Sequence, residues 1–189
     1  MNPFNHKTDS DRVLWEKKAI AFVTRSHQQL WGKNNEDPLA WLFEQGFENQ
    51  FAKEMHLGWN KHSQTRNFDT WGLCPGDSKT ADKKLVLPAG IVIPHIINQN
   101  LKSITIHTNK GDDAILLPGS LLIPMVLGNN RKALAVLTSI IDGLYLFQET
   151  RRNITVVITS NIKSFHETFK KRKWKNALWC KKGRKRYPI

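Results

Sequence analysis

A chain of 189 residues, 40% apolar and 10% aromatic, can fold as one domain or as two small ones sharing a core, and disorder throughout is excluded. No apolar run approaches the roughly 20 residues needed to cross a bilayer, the opening MNPFNHKTDSDR lacks a signal-peptide core, and Cys74 and Cys180 form neither a disulfide framework nor a zinc-ribbon pair. A cytoplasmic protein without membrane contact is expected, and its net charge of +13 is concentrated, since residues 163–189 hold eleven lysines and arginines against one acid, Glu167.

Residues 1–57 read as a helical region. Asp9 or Ser10 can cap a helix in which Trp15, Ala19, Phe22, Val23 and Leu30 recur at three- and four-residue steps. Asp37-Pro38 opens a second helix, because the N–H that proline lacks has no partner in a first turn anyway. Leu39, Trp41, Leu42 and Phe43 follow, and Gly46 ends the helix by taking positive φ. A third short helix is expected over 49–56. Residues 58–84 are poor in apolar periodicity and rich in Asn, Gly, Asp, Ser and Lys, so a loop is expected there. Within it Trp59 and Trp71 can each pack onto the core or stack a base.

Residues 85–128 change period and read as antiparallel strands. Residues 85–87 lead into a strand at 90–94, and 101–107 alternate. Leu101, Ser103, Thr105 and His107 fall on one face, with Lys102, Ile104, Ile106 and Thr108 on the other. Asn98-Gln99-Asn100 suits the hairpin turn between them. A short strand over 114–117 is closed by Pro118-Gly119-Ser120. In 129–162, a buried-looking strand at 133–138 precedes helical spacing through Ile141, Leu144, Tyr145 and Phe147, and then a β-branched strand at 154–159. Strand, helix and strand in so few residues make a βαβ unit with parallel pairing. Residues 163–189 read as a basic helix or tail, the helix starting at Ser164 with Phe165 and Phe169. The class is α+β: an N-terminal helical segment, a small antiparallel sheet, then the βαβ unit.

Several short motifs punctuate this order. They are Leu39-x-Trp41-Leu42 with Gly46-Phe47, Leu57-Gly58-Trp59-Asn60, Trp71-Gly72-Leu73 and Leu87-Pro88-Ala89-Gly90-Ile91-Val92-Ile93-Pro94. Leu117-Pro118-Gly119-Ser120 follows with Pro124-Met125-Val126-Leu127-Gly128, and Ser139-Ile140-Ile141-Asp142-Gly143-Leu144 comes last. In this order, over about residues 14–160, they resemble the linker and TOPRIM region of phage- and plasmid-type DNA primases, without the zinc-binding domain. The resemblance implies a TOPRIM-like βαβ unit at 129–162 and an enzyme that templates short RNA primers on single-stranded DNA beside a helicase. TOPRIM enzymes gather divalent metal with a glutamate after the first strand and an Asp-x-Asp pair after a later one. Those residue types follow from the ion: Mg²⁺ is hard, prefers carboxylate and water oxygens, and must offset triphosphate charge.

The chain departs from that pattern. The position matching the glutamate is Thr138, a neutral hydroxyl, while Asp142 matches a second acidic position. No Asp-x-Asp follows Ile154, and the adjacent Asp112-Asp113 precede the βαβ unit. The 104–108 strand carries His and Thr where relatives tend to carry arginines that face nucleotide phosphates. Losing several carboxylates leaves no metal clamp, so the isolated chain is not expected to make primers. Asp142 alone either ligates a metal or serves the helix start. No cofactor is expected, and Mg²⁺ only if activity remains.

The basic segment interleaves cations with aromatics: Lys170, Lys171, Arg172, Lys173, Trp174 and Lys175, then Trp179, then Lys181, Lys182, Arg184, Lys185 and Arg186. Bases stack on aromatic rings while Lys and Arg hold phosphates, so single-stranded DNA or RNA is the expected partner. The same residues also suit buried tryptophans with solvated lysines. The seven histidines show no ligand spacing, and zinc at His56, His62 and Cys74 has little support. Nucleophile-elbow and phosphate-loop motifs are absent. Three readings follow: a primase-like nucleic-acid-binding protein with a degenerate metal site, from a phage or mobile element; an active primase component needing a partner; and a module that inhibits a primase. A primase or helicase subunit is the protein partner these readings imply.

Overall fold

The computed structural model describes residues 8–33, 35–74, 84–108, 114–129 and 133–159 in full, and the backbone of 176–179. They form two units. One takes in residues up to Glu44 together with Glu48–Leu122; the other takes Gln45–Phe47 and the residues from Ile123 on.

The first unit begins with helix α1, Asp9–Trp31, whose cap is Thr8 rather than Asp9 or Ser10. The Thr8 hydroxyl accepts the Asp11 N–H at 3.1 Å, and the Asp11 carboxylate accepts the Thr8 N–H at 3.1 Å. Such a reciprocal box needs an acid or amide three residues past the cap. Thr8 has Asp11 there, whereas Asp9 and Ser10 have Arg12 and Val13. The apolar positions read from the sequence are all buried, joined by Ser26. At the far end of α1, the Asn35 amide donates to the carbonyls of Leu30 and Gln29. That satisfies acceptors which a helix end leaves without partners. Helices α2, Glu36–Glu44, and α3, Asn49–Glu54, follow, and Gly46 takes the expected left-handed conformation at φ +83°.

The expected loop at 58–84 is instead partly ordered structure. Strand β1, Gly58–Asn60, strand β2, Gln64–Asn67, and a 3₁₀ turn at Asp69–Trp71 lie in it. Strand β2 is polar and largely exposed, so nothing in its own residues alternates. Its pattern comes from β3, Lys84–Leu87, where Leu85 and Leu87 are buried and Val86 is not. Strands β4, Gly90–Ile97, β5, Asn100–Thr108, and β6, Ala114–Leu116, complete an antiparallel sheet in the order β1-β4-β5-β6.

The face assignment of β5 needs one correction. His95 pairs with Ser103 but Ile96 pairs with Leu101, so Lys102 is an extra residue in a bulge. A bulge shifts the alternation by one, which moves Leu101 to the face of Ile104 and Ile106. All three join a core with Trp15, Phe22, Trp71, Leu85, Leu87 and Leu117. Trp71 therefore packs; it meets Phe22 edge to face with ring centroids 6.3 Å apart. The Trp15 indole N–H donates to the Pro118 carbonyl at 2.9 Å and so pins the 117–120 turn to the helix.

The second unit is a mixed sheet in the order β10 (Asn176–Trp179), β8 (Ala133–Leu137), β9 (Thr155–Ile158), β7 (Met125–Leu127), with helix α4, Ile140–Glu149. Strands β8, Ala133–Leu137, and β9, Thr155–Ile158, pair in parallel around α4, which is the expected βαβ unit. Strand β7, Met125–Leu127, pairs antiparallel with β9, so it belongs here and not with the antiparallel strands of 85–128. Strand β10, Asn176–Trp179, pairs in parallel with β8 inside the segment expected to be helix or tail. Strands of three and four residues carry too little alternation to be read from sequence. The helix expected from Ser164 lies outside the described residues. Residues 45–47 join this unit because the Gln148 amide donates to the Gly46 carbonyl at 2.8 Å and Phe47 is buried.

Candidate functional site

Parallel strands with a helix between them leave a crevice at their carboxyl ends, where the helix N-terminus points. Here β8 and β9 run side by side through Leu137 and Ile158, and the Thr159 N–H continues the ladder by donating to the Leu137 carbonyl at 2.9 Å. The chain leaves β8 at the exposed Thr138. Ser139 then caps α4, its hydroxyl accepting the Asp142 N–H at 3.2 Å. Gly143 lets the helix lie close against β9, since an added Cβ would collide with the Ile158 side chain. Thus Thr138 and Asp142 are brought to one strand-to-helix turn, with Thr159 on the neighbouring strand end.

The donor set is short of charge. Among the described residues it consists of the hydroxyls of Thr138, Ser139 and Thr159 and one carboxylate, Asp142, which is the acid of the first helical turn. A carboxylate in that position stabilises the helix by meeting its positive end. Among the described residues no three His, Cys, Asp or Glu side chains gather as metal ligands. A two-metal phosphoryl-transfer site needs several carboxylates at the reacting oxygens, and the described residues at these strand ends do not fit one.

In the first unit, Thr105 and His107 lie on the face of β5 opposite Ile104 and Ile106. Their cross-strand neighbours are Ile93 and Ile91 of β4. His107 is buried and packs against Trp41 with the rings tilted at 45° and their centroids 5.0 Å apart. Trp59 shares that face through its pairing with Ile91 and is half-buried, with its indole nitrogen buried and making no hydrogen bond. Lys61 lies over its ring, 5.9 Å from the centroid. His95, next along β4, has a buried Nδ1 without a partner, and burial holds its pKa below the ordinary imidazole value. His27 on α1 is lowered too, first by burial and then by the nearby His56 and Lys53.

Of the nucleic-acid-binding residues singled out in sequence, Trp179 supplies backbone to β10, paired with Val136. Lys170, Lys171, Arg172, Lys173, Trp174, Lys175, Lys181, Lys182, Arg184, Lys185 and Arg186 lie outside the described residues. Sequence reading passed over a different pair of cations. Arg25 of α1 and Arg66 of β2 both donate to the Gln64 side-chain oxygen, at 3.4 and 2.7 Å. They are 41 positions apart on elements of different period, so no motif could have joined them.

No protein-family model matches the sequence, and no curated protein matches it either. Solved structures do resemble it. A DnaG primase catalytic domain bound to single-stranded DNA aligns over 94% of this chain and 64% of its own, with TM-score 0.66 and 12% identity. The zinc-binding and RNA polymerase domains of the Aquifex aeolicus primase align over 92% and 50%, with TM-score 0.58 and 17% identity. The RNA polymerase domain of Mycobacterium tuberculosis DnaG, in complex with a double-stranded DNA carrying a 6-nucleotide overhang, aligns over 86% and 58%, with TM-score 0.52 and 11% identity. The chain thus spans between half and two thirds of these neighbours. At such identities the likeness is one of fold: this chain has the α+β fold of primase catalytic domains.

Proposed function

We propose that this chain is a primase-like nucleic-acid-binding protein whose TOPRIM-type metal site is degenerate and which makes no primers by itself. The observation that carries the reading is the carboxyl end of β8 and β9, where the described residues supply Thr138, Ser139 and Thr159 but a single carboxylate, Asp142, on a primase-like fold. Binding is supported by the net charge of +13, since a surface with that imbalance attracts polyanions. It is supported also by neighbours of the same fold that were solved with DNA. The basic segment from Lys170 to Arg186, with Trp174 and Trp179, is the proposed single-strand contact, rings stacking bases and cations holding phosphates.

A carboxylate that has lost its partners in a metal pair costs orders of magnitude in phosphoryl transfer. Asp142 then serves the start of α4, and Thr138 serves no ion. Among the described residues no helix is long and apolar enough to cross a membrane. An origin in a phage or mobile element, and a primase or helicase subunit as partner, belong to the same reading.

Two measurements on the full chain test it. Labelled single-stranded DNA should bind with an affinity that falls steeply as salt rises, because counterions are released on binding. Incubation with template, nucleoside triphosphates and Mg²⁺ or Mn²⁺ should give no template-dependent oligonucleotide. A product that disappears in Asp142→Ala would overturn the degenerate-site reading in favour of an active primase component.

A further inference from the structure

Arg25 and Arg66 are held together by a relay of amides. Asn60 is buried, and its NH₂ group donates to the carbonyls of Leu87 at 3.0 Å and Pro88 at 2.7 Å. With both donors used, its oxygen accepts from the Gln64 NH₂ at 3.1 Å. Gln64 is thereby fixed with its oxygen turned toward the two guanidinium groups, whose bonded nitrogens stand within about 6 Å of each other. Like charges at that distance repel, and a neutral amide oxygen shared between them offsets little of it.

Among the described residues the ion pair is elsewhere, between Arg12 and Glu16. Both arginines are exposed, as are Thr65, Asn67 and Lys84, the last of which lies opposite Asn67 on β3. The Arg25 guanidinium carbon lies over the Phe22 ring, 5.8 Å from its centroid. The result is two cations fixed side by side on an open polar ribbon. Each guanidinium spends one bonded nitrogen on Gln64 and keeps further N–H donors on an exposed side chain, and two adjacent guanidinium groups suit the several oxygens of phosphate.

We infer that Arg25 and Arg66, positioned by the Asn60–Gln64 relay, form a contact for the phosphate backbone of a nucleic-acid strand, separate from the basic segment at 163–189. Contacts to phosphate position a strand without reading its bases, so this pair adds affinity rather than sequence preference. This rests on the nucleic-acid-binding reading above and adds a place to it.

The test is a salt titration of labelled oligothymidylate binding to the full chain, followed by fluorescence anisotropy. Each phosphate contact on a single strand contributes about 0.7 to the slope of log affinity against log salt. Arg25→Gln and Arg66→Gln should each lower the slope by about 0.7, and the double variant by about 1.4. Arg12→Gln, which removes a cation already paired with Glu16, should leave the slope unchanged. A double variant with the wild-type slope would overturn this contact while sparing the binding reading. An equal drop in Arg12→Gln would also overturn it, because net charge alone would then explain the result. Loss of binding to a fluorescent nucleoside triphosphate, with oligonucleotide binding intact, would overturn it in favour of a nucleotide site. Absence of binding by the wild-type chain would bring down both readings together.

Discussion

The two units solve the same problem, burying one sheet, in different ways. The first lays a 23-residue helix on an antiparallel sheet and fills the gap with aromatic rings, Trp15, Phe22, Phe68 and Trp71, around a wide cluster. Side-chain amides and an indole then tie loops to it: Trp15 to Pro118, Asn35 to Leu30, and Asn60 to Leu87 and Pro88. The second is a mixed sheet whose described buried residues, Leu134, Val136, Leu144, Phe147 and Val157 among them, come from short strands and a helix of ten residues. Its chain is drawn from two places, residues 45–47 and those from 123 on. Large aromatic cores give stability that a single substitution can probe, while a small β-branched sheet depends on close backbone approach. The unit whose motif promised chemistry is the one whose described strand ends carry one carboxylate, Asp142.

Four measurements break or sharpen that contrast. Trp15→Ala removes a nearly inaccessible indole and its bond to Pro118. It should cost about 3–5 kcal/mol in urea denaturation, the range for a large aromatic cut to alanine. A cost under about 1 kcal/mol would mean that the first core is not built around this ring. Gly143→Val places a branched side chain against Ile158 where α4 meets β9. Overpacking of this kind costs about 1–3 kcal/mol, and hydrogen exchange should quicken in 133–158 well before it does in α1. Equal loss of protection in both stretches would erase the distinction between the units.

Ser139→Ala removes the cap of α4 and should cost about 1 kcal/mol. Thr8→Ala should cost about the same at the far heavier α1, because caps act locally. A larger loss at Ser139 would assign that hydroxyl a role beyond capping. The smallest effect is on pH. His27 and His95 both have pKa values held below the usual 6.5, so unfolding takes up protons wherever the unfolded imidazoles are charged and the folded ones are not. Stability is then fullest above about pH 6.5 and falls as pH drops through that value toward the lower folded pKa. The urea midpoint should decline from pH 7 toward pH 5, and His95→Leu should flatten the decline. A midpoint that is level across that window would contradict the burial of these rings.

Much of this was legible in the residues alone. The face of α1, the positive φ at Gly46, the hairpin at 98–100 and the parallel pairing around α4 all follow from period and local chemistry. The motif order pointed to the primase family, and what the structure shares with primase catalytic domains is the fold. Short-range physics suffices in these places, because each signal lies within one turn or one strand. The bulge at Lys102 was not legible, since a single extra residue leaves no mark until the partner strand sets the register.

Strands β1, β2, β7 and β10 were hidden for a related reason. Three or four residues hold too little pattern, and pairing with a stronger neighbour makes them strands. At the candidate site the sequence by itself determined which side chains are present, Thr138 and Asp142 among them, because chemistry at a position is set by the residue. Only tertiary structure decided that Thr159 stands beside them, that Gly46 and Phe47 belong with α4, and that Arg25 and Arg66 share the oxygen of Gln64. Contacts between residues far apart in the chain depend on how elements pack, and packing is not written in any local window.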